Sequence, residues 1–159
     1  MSRTASDVSG FLPNPLHMIR CLMIDPHQRQ SWDDTLIALC RLLADCRADC
    51  RRSRHAALIF DEETQDIISL GYNGLASKSG SCLDGDCPRG LLPKQEFPSL
   101  GPYSEGAGRC DAVHAEANAL LRAGRSARNK TLYVTGKPCH GCSILIRGAG
   151  ITRIVYPDS

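Results

Sequence analysis

TLYVTGKPCHGCSILIRGAGITRIVY, residues 131–156, decides the fold. "TLYVT" reads as a strand, "CHGCSILIRGAG" as a helix closed by glycine, and "ITRIVY" as a last strand. Upstream, "HAALIF" (55–60) and "DIISLGYN" (66–73) read as two strands of a hairpin joined by the polar "DEETQ". "DAVHAEANALLRAG" (111–124) follows as a helix ended by Gly124. Strand and helix alternate after the hairpin, which predicts an α/β sheet with helices on its faces. From Ser31, "SWDDTLIALCRLLADCRADC" predicts an amphipathic helix with Ser31 and Asp34 as a capping box, ending near "CRRSR". Residues 74–109 are rich in Gly, Ser and Pro and show no sustained periodicity. A loop of that length in a compact domain is functional or pinned by something.

A length of 159 residues suits one domain with an ordinary core. We divide it into an N-terminal extension, 1–30, and a folded domain, 31–159. The net charge of +2 argues for neither a nucleic-acid nor a membrane partner, and 5% aromatic residues supply a poor stacking surface for single strands. No apolar run approaches the roughly 20 residues that span a bilayer. The start, "MSRTASDVSGFLPNP", lacks a charged head followed by an apolar run, so no secretory signal is read and a reducing, cytoplasmic location is expected. Nine cysteines, an odd number, then favour thiolate ligands over a disulfide framework. Cys21 and Cys40 read as buried apolar thiols instead.

Cys139 and Cys142 share one face of a helix and can hold one ion, with Pro138 at or just before the first turn. The helix dipole there favours thiolates. Alone, a C-x-x-C is equally a redox pair, half a zinc knuckle or coincidence. His114 and Glu116 point about 160° apart on a regular helix, so they serve one site only if His114 sits at the helix mouth. Together, one imidazole and two thiolates leave a fourth tetrahedral position for water, the pattern of a catalytic zinc site. A nearby carboxylate that is not a ligand can shuttle the water's proton to a ring nitrogen and a leaving amine. That chemistry is hydrolytic deamination of an amino-heterocycle, and the order H-x-E followed by P-C-x-x-C matches the zinc-deaminase signature.

On these residues the chain resembles the deoxycytidylate (dCMP) deaminases of the cytidine-deaminase superfamily, from about Ser31 to Tyr156. The resemblance rests on "GYNG" (71–74), "HAEANAL" (114–120), "TLYVTGKPCHGC" (131–142) and "GAGITRIVY" (148–156). It implies a three-layer α-β-α fold with a mixed central sheet, and deamination of dCMP to dUMP and ammonia. His114, Cys139 and Cys142 would hold catalytic zinc, and Glu116 would move protons. Asn73 would bond the sugar, and the backbone at Ala115 would meet the pyrimidine edge. "GYNG" is associated in this family with a nucleoside-triphosphate effector, and its members are commonly homo-oligomers. By the same resemblance Cys50, Cys82, Cys87 and Cys110 would close a second, structural zinc over the long loop.

The chain departs from that pattern in three places. His55 and Ala56 stand where a valine and a glycine are usual, and His55 reads as packed at the strand start. "NGLAS" lacks the proline that often follows "YNG". The chain stops three residues after "IVY", so either the sheet is shortened at its C-terminal edge or "LHMIRCLMI" near the N-terminus covers that edge. The basic run "RADCRRSR" either complements the helix dipole or, through Arg52 or Arg54, neutralises a 5′-phosphate. A polynucleotide deaminase and a non-enzymatic zinc domain are the rival readings. Low charge counts against the first, and Glu116 against the second, since a structural zinc needs no proton shuttle.

Overall fold

A computed structural model of the chain describes residues 29–93, 95 and 108–157. Helix α1, Trp32–Arg47, buries Leu36, Ile37, Cys40 and Ala44, which the helical period places along one stripe. Asp33 and Asp34 in its first turn and Arg47 in its last complement the dipole. It ends at Arg47, three residues before the end read from sequence.

Strand β1, Ala56–Asp61, is buried along its whole length. It pairs antiparallel with β2, Asp66–Tyr72, and antiparallel with β5, Thr131–Val134. Strand β6, Arg153–Val155, runs parallel to β5 and gives the order β2-β1-β5-β6. A continuous apolar strand such as "AALIF" suits this central place, because it faces helices on both sides. Alternation then sorts its side chains. Leu58 and Phe60 join Tyr133 under Leu36, Ile37 and Cys40 of α1. Ala57 and Ile59 join Leu132 and Val134 on the other side, under α2 (Ala115–Ala123) and α3 (His140–Gly148). Three layers, helix on mixed sheet on helices, match the α-β-α expectation. Cys40 is fully buried, as read from sequence, and burial pushes its thiol up to about 12. Cys21 lies outside the described residues.

Two local features set the site. A Cβ on Gly71 of β2 would collide with the backbone of Ala115 and Ala119, so the glycine lets the start of α2 lie directly on the sheet. Residues 111–114 are not helical, contrary to the sequence reading. Ala112–Val113 form β4, paired antiparallel with β3, Gly74–Leu75. That pairing holds the chain extended up to His114, whose φ of −67° and ψ of 152° make it the N-cap of α2. Among the described residues the main sheet ends at β6, and "LHMIRCLMI" falls outside them.

Candidate active site and metal centre

His114 caps α2 and Cys139 caps α3, so two helix N-termini converge. His114 Nδ1 lies 3.6 Å from Cys139 Sγ and 3.4 Å from Cys142 Sγ. Tetrahedral bonds of about 2.05 Å to nitrogen and 2.3 Å to sulfur would set such atoms about 3.6 Å apart, so this donor set fits zinc. Among the described residues these three make the one group of metal-binding side chains with donor atoms all within 4.8 Å. Cys142 Sγ is buried, and burial, then the Glu116 carboxylate and Cys139, push its thiol upward. A cation reverses that balance.

Glu116 is buried in the first turn of α2, and its carboxylate is one of the groups that raise the Cys142 thiol. The helix-mouth position of His114 brings both residues to one site. Asn118 Nδ2 donates to the Tyr72 carbonyl at 2.8 Å, and Ser69 Oγ donates to the Ala119 carbonyl at 2.8 Å. These bonds pin α2 to β2. Ala115 is wholly buried behind the N-cap.

Asn73 is buried, and its amide clamps the backbone of the segment that leads into β1. Its Oδ1 accepts from the His55 N–H at 2.8 Å, and its Nδ2 donates to the Ser53 carbonyl at 2.8 Å. His55, read from sequence as a packed residue, also places its ring between the Ser53 hydroxyl, 2.8 Å from Nε2, and the Thr135 hydroxyl, 3.1 Å from Nδ1. Burial lowers its pKa, while the Glu116 carboxylate opposes that and His114 adds to it. Sequence reading missed the His55–Thr135 link, and the polar Thr135 just after a buried strand was its only visible signal.

The other cysteines come near one another without forming an equally tight group. Cys87 Sγ lies 4.0 Å from Cys110 Sγ. Burial, then Cys87, Asp49 and Cys50, push the Cys82 thiol up to about 12. Burial raises Cys87 as well, but N–H groups of Asp111 and Gly90 directed at it, with the Cys110 and Cys82 thiols, outweigh burial and lower it. Arg52 donates to the Leu92 carbonyl at 2.8 Å and Arg54 to the Asp45 carbonyl at 2.7 Å. Arg89, another residue missed from sequence, is buried and donates to the Gly108 carbonyl at 2.6 Å.

Fold and site together define a zinc-binding, hydrolytic deaminase domain. The chain belongs to the family described as cytidine and deoxycytidylate deaminase zinc-binding region, matched over residues 30–157. It is 42% identical over 130 residues to the deoxycytidylate deaminase of Mycobacterium phage D29, covering 81% of this chain and 96% of that one. The deoxycytidylate deaminase of Saccharomyces cerevisiae is 36% identical over 140 residues, 84% of this chain and 40% of the yeast protein. Among solved structures, the dCMP deaminase of cyanophage S-TIM5 in complex with dCMP and dUMP superposes with a TM-score of 0.56 at 21% identity. That likeness covers 82% of this chain and 83% of the other, and it bears on the fold. No helix among the described residues is long and apolar enough to cross a membrane.

Proposed function

We propose that the chain hydrolyses dCMP to dUMP and ammonia. The carrying observation is the convergence of His114 with Cys139 and Cys142 beside buried Glu116. Its supporting context is a phage deoxycytidylate deaminase matched over 96% of that relative's length. In this reading His114, Cys139 and Cys142 hold zinc, which when bound lowers the pKa of water towards about 7. Glu116 would carry one proton of the attacking water to the pyrimidine N3, and then the second, from the new C4 hydroxyl, to the amino group, which leaves as ammonia as the C4–N bond breaks and the C4 carbonyl forms. Asn73 positions the sugar, and the backbone at Ala115 meets the pyrimidine edge. Arg52 or Arg54 faces the 5′-phosphate.

The same reading takes residues 31–159 as the deaminase domain and 1–30 as an extension. It adds a structural zinc on Cys50, Cys82, Cys87 and Cys110. A tetrahedral site of four thiolates with bonds of about 2.3 Å has sulfurs about 3.8 Å apart, near the Cys87–Cys110 separation of 4.0 Å. Backbone N–H groups directed at Cys87 also suit a thiolate ligand. A nucleoside-triphosphate effector is supported by two guanidiniums flanking the "GYN" segment, with Arg47 and Arg122 over the Tyr72 ring at 5.7 and 5.2 Å. Exposed Leu121, Ile144 and Leu145 support a homo-oligomer. A cytoplasmic, reducing location suits cysteines that serve as zinc ligands.

The test is ammonia release from dCMP, dCTP, deoxycytidine and adenosine by the wild type and Glu116→Ala. Wild type should act on dCMP, and the variant should be slower by about 10²–10⁴-fold. No ammonia from any of the four would overturn the reading.

A further inference from the structure

We propose that His55 is a positioning residue for substrate binding, tying the Asn73 loop to the loop that carries the zinc ligands. The inference rests on the deaminase reading above. Three chain segments meet at this residue. Its N–H donates to Asn73 Oδ1 at 2.8 Å, and its carbonyl accepts from the Asn73 N–H at 3.0 Å. Its ring reaches Thr135 Oγ1 at 3.1 Å, and that hydroxyl also accepts from the Ala56 N–H at 3.2 Å. On the far side the ring meets Ser53 Oγ at 2.8 Å.

Thr135 stands four residues before Cys139, and a Cβ on Gly136 would rest 3.5 Å from His55 Cε1. The imidazole therefore braces the start of the 135–142 segment on one side and the Asn73 clamp on the other. A valine at this place would fill similar space and make neither ring bond. Histidine supplies hydrogen bonds that link the two segments. Pre-organisation of this kind lowers the cost of ordering loops when substrate binds. It leaves the proton shuttle and the metal ligands as they are, so its loss should fall on KM.

His55→Val is expected to raise KM for dCMP about tenfold, with kcat within about threefold and zinc content unchanged. His55→Asn sets an amide near the place of Nδ1, keeps the Thr135 bond and should restore most of the affinity. His55→Gln reaches towards Ser53 instead and should not. A residue that only packs would change thermal stability and leave KM alone. Wild-type KM in both His55→Val and His55→Asn overturns the proposal, as does loss of kcat and zinc with KM unchanged. Should His55→Val not fold, equal KM values in the Asn and Gln variants overturn it. A wild type silent on dCMP overturns the underlying deaminase reading as well, whereas active wild type with unshifted variants overturns this inference alone.

Discussion

His114 Nδ1 and Cys142 Sγ lie 3.4 Å apart across 28 residues of sequence. Each is fixed by the first turn of its own helix, and both helices pack on the same sheet face. A cation seated between them joins α2 to α3, so metal binding and folding are linked. Chelation should lower the melting temperature by several degrees and abolish dCMP turnover, and added zinc should restore both. His114→Ala should lose more than about a hundredfold in turnover, with no rescue by zinc. Undiminished turnover by metal-free protein would remove zinc from the chemistry.

The Cys87–Cys110 approach of 4.0 Å leads to a different measurement. Zinc on stripped and reloaded protein should approach about two per chain, and Cys82→Ser should lower it by about one. The variant should also melt earlier, because residues 82–110 lose their crosslink. Cys46→Ser, at an exposed thiol, should change neither value. A firm content of one zinc, unchanged in Cys82→Ser, excludes the second site.

Helices on both faces were legible because strand and helix alternate after the hairpin; how β1 sorts its continuous apolar run, Leu58 and Phe60 to one side and Ala57 and Ile59 to the other, is seen only in the fold. The His114–Glu116 spacing showed that a shared site needs a helix mouth, which is where His114 lies. The start of α2 was not legible. "DAV" contains no helix breaker, and only its pairing with the distant Gly74–Leu75 keeps it extended. The link from His55 to Thr135 spans 80 residues and depends on a hydroxyl meeting a ring nitrogen, which no local pattern encodes.

On the α1 side of the sheet, Arg153 bridges Asp33 at 2.5 Å and Glu62 at 2.7 Å, and Tyr133 Oη donates to Asp33 at 2.7 Å. Hydrogen bonds from Arg153 and then Tyr133 lower the pKa of Asp33; those from Thr131 and then Arg153 lower that of Glu62. Depressed carboxylates stabilise the fold above their unfolded pKa, and that contribution disappears as pH falls through the folded value. Melting temperature should therefore drop as pH falls below about 4. Arg153→Met should lower it at neutral pH and flatten the acid limb. The half-exposed setting of Arg153 keeps the effect small. Parallel acid limbs in the two proteins would show that the bridge contributes nothing.

Arg52 and Arg54 have two competing jobs. Each donates to backbone carbonyls, Arg52 to Leu92 and Arg89 and Arg54 to Asp45, which is an anchoring role. A guanidinium on a carbonyl keeps its full charge, so anchoring does not exclude attraction to a phosphate beside it. The two roles separate by substrate. Anchoring acts on the shape of the pocket, and its loss should slow dCMP and deoxycytidine alike. A charge-assisted bond to phosphate acts on dCMP alone. In the double variant Arg52→Ala, Arg54→Ala, kcat/KM should fall about 10–100-fold more for dCMP than for deoxycytidine. That excess should shrink as salt rises, because screening weakens an exposed charge pair more than it weakens packing. An equal fall on both substrates assigns the pair to the scaffold and moves the search for the phosphate partner to other cations.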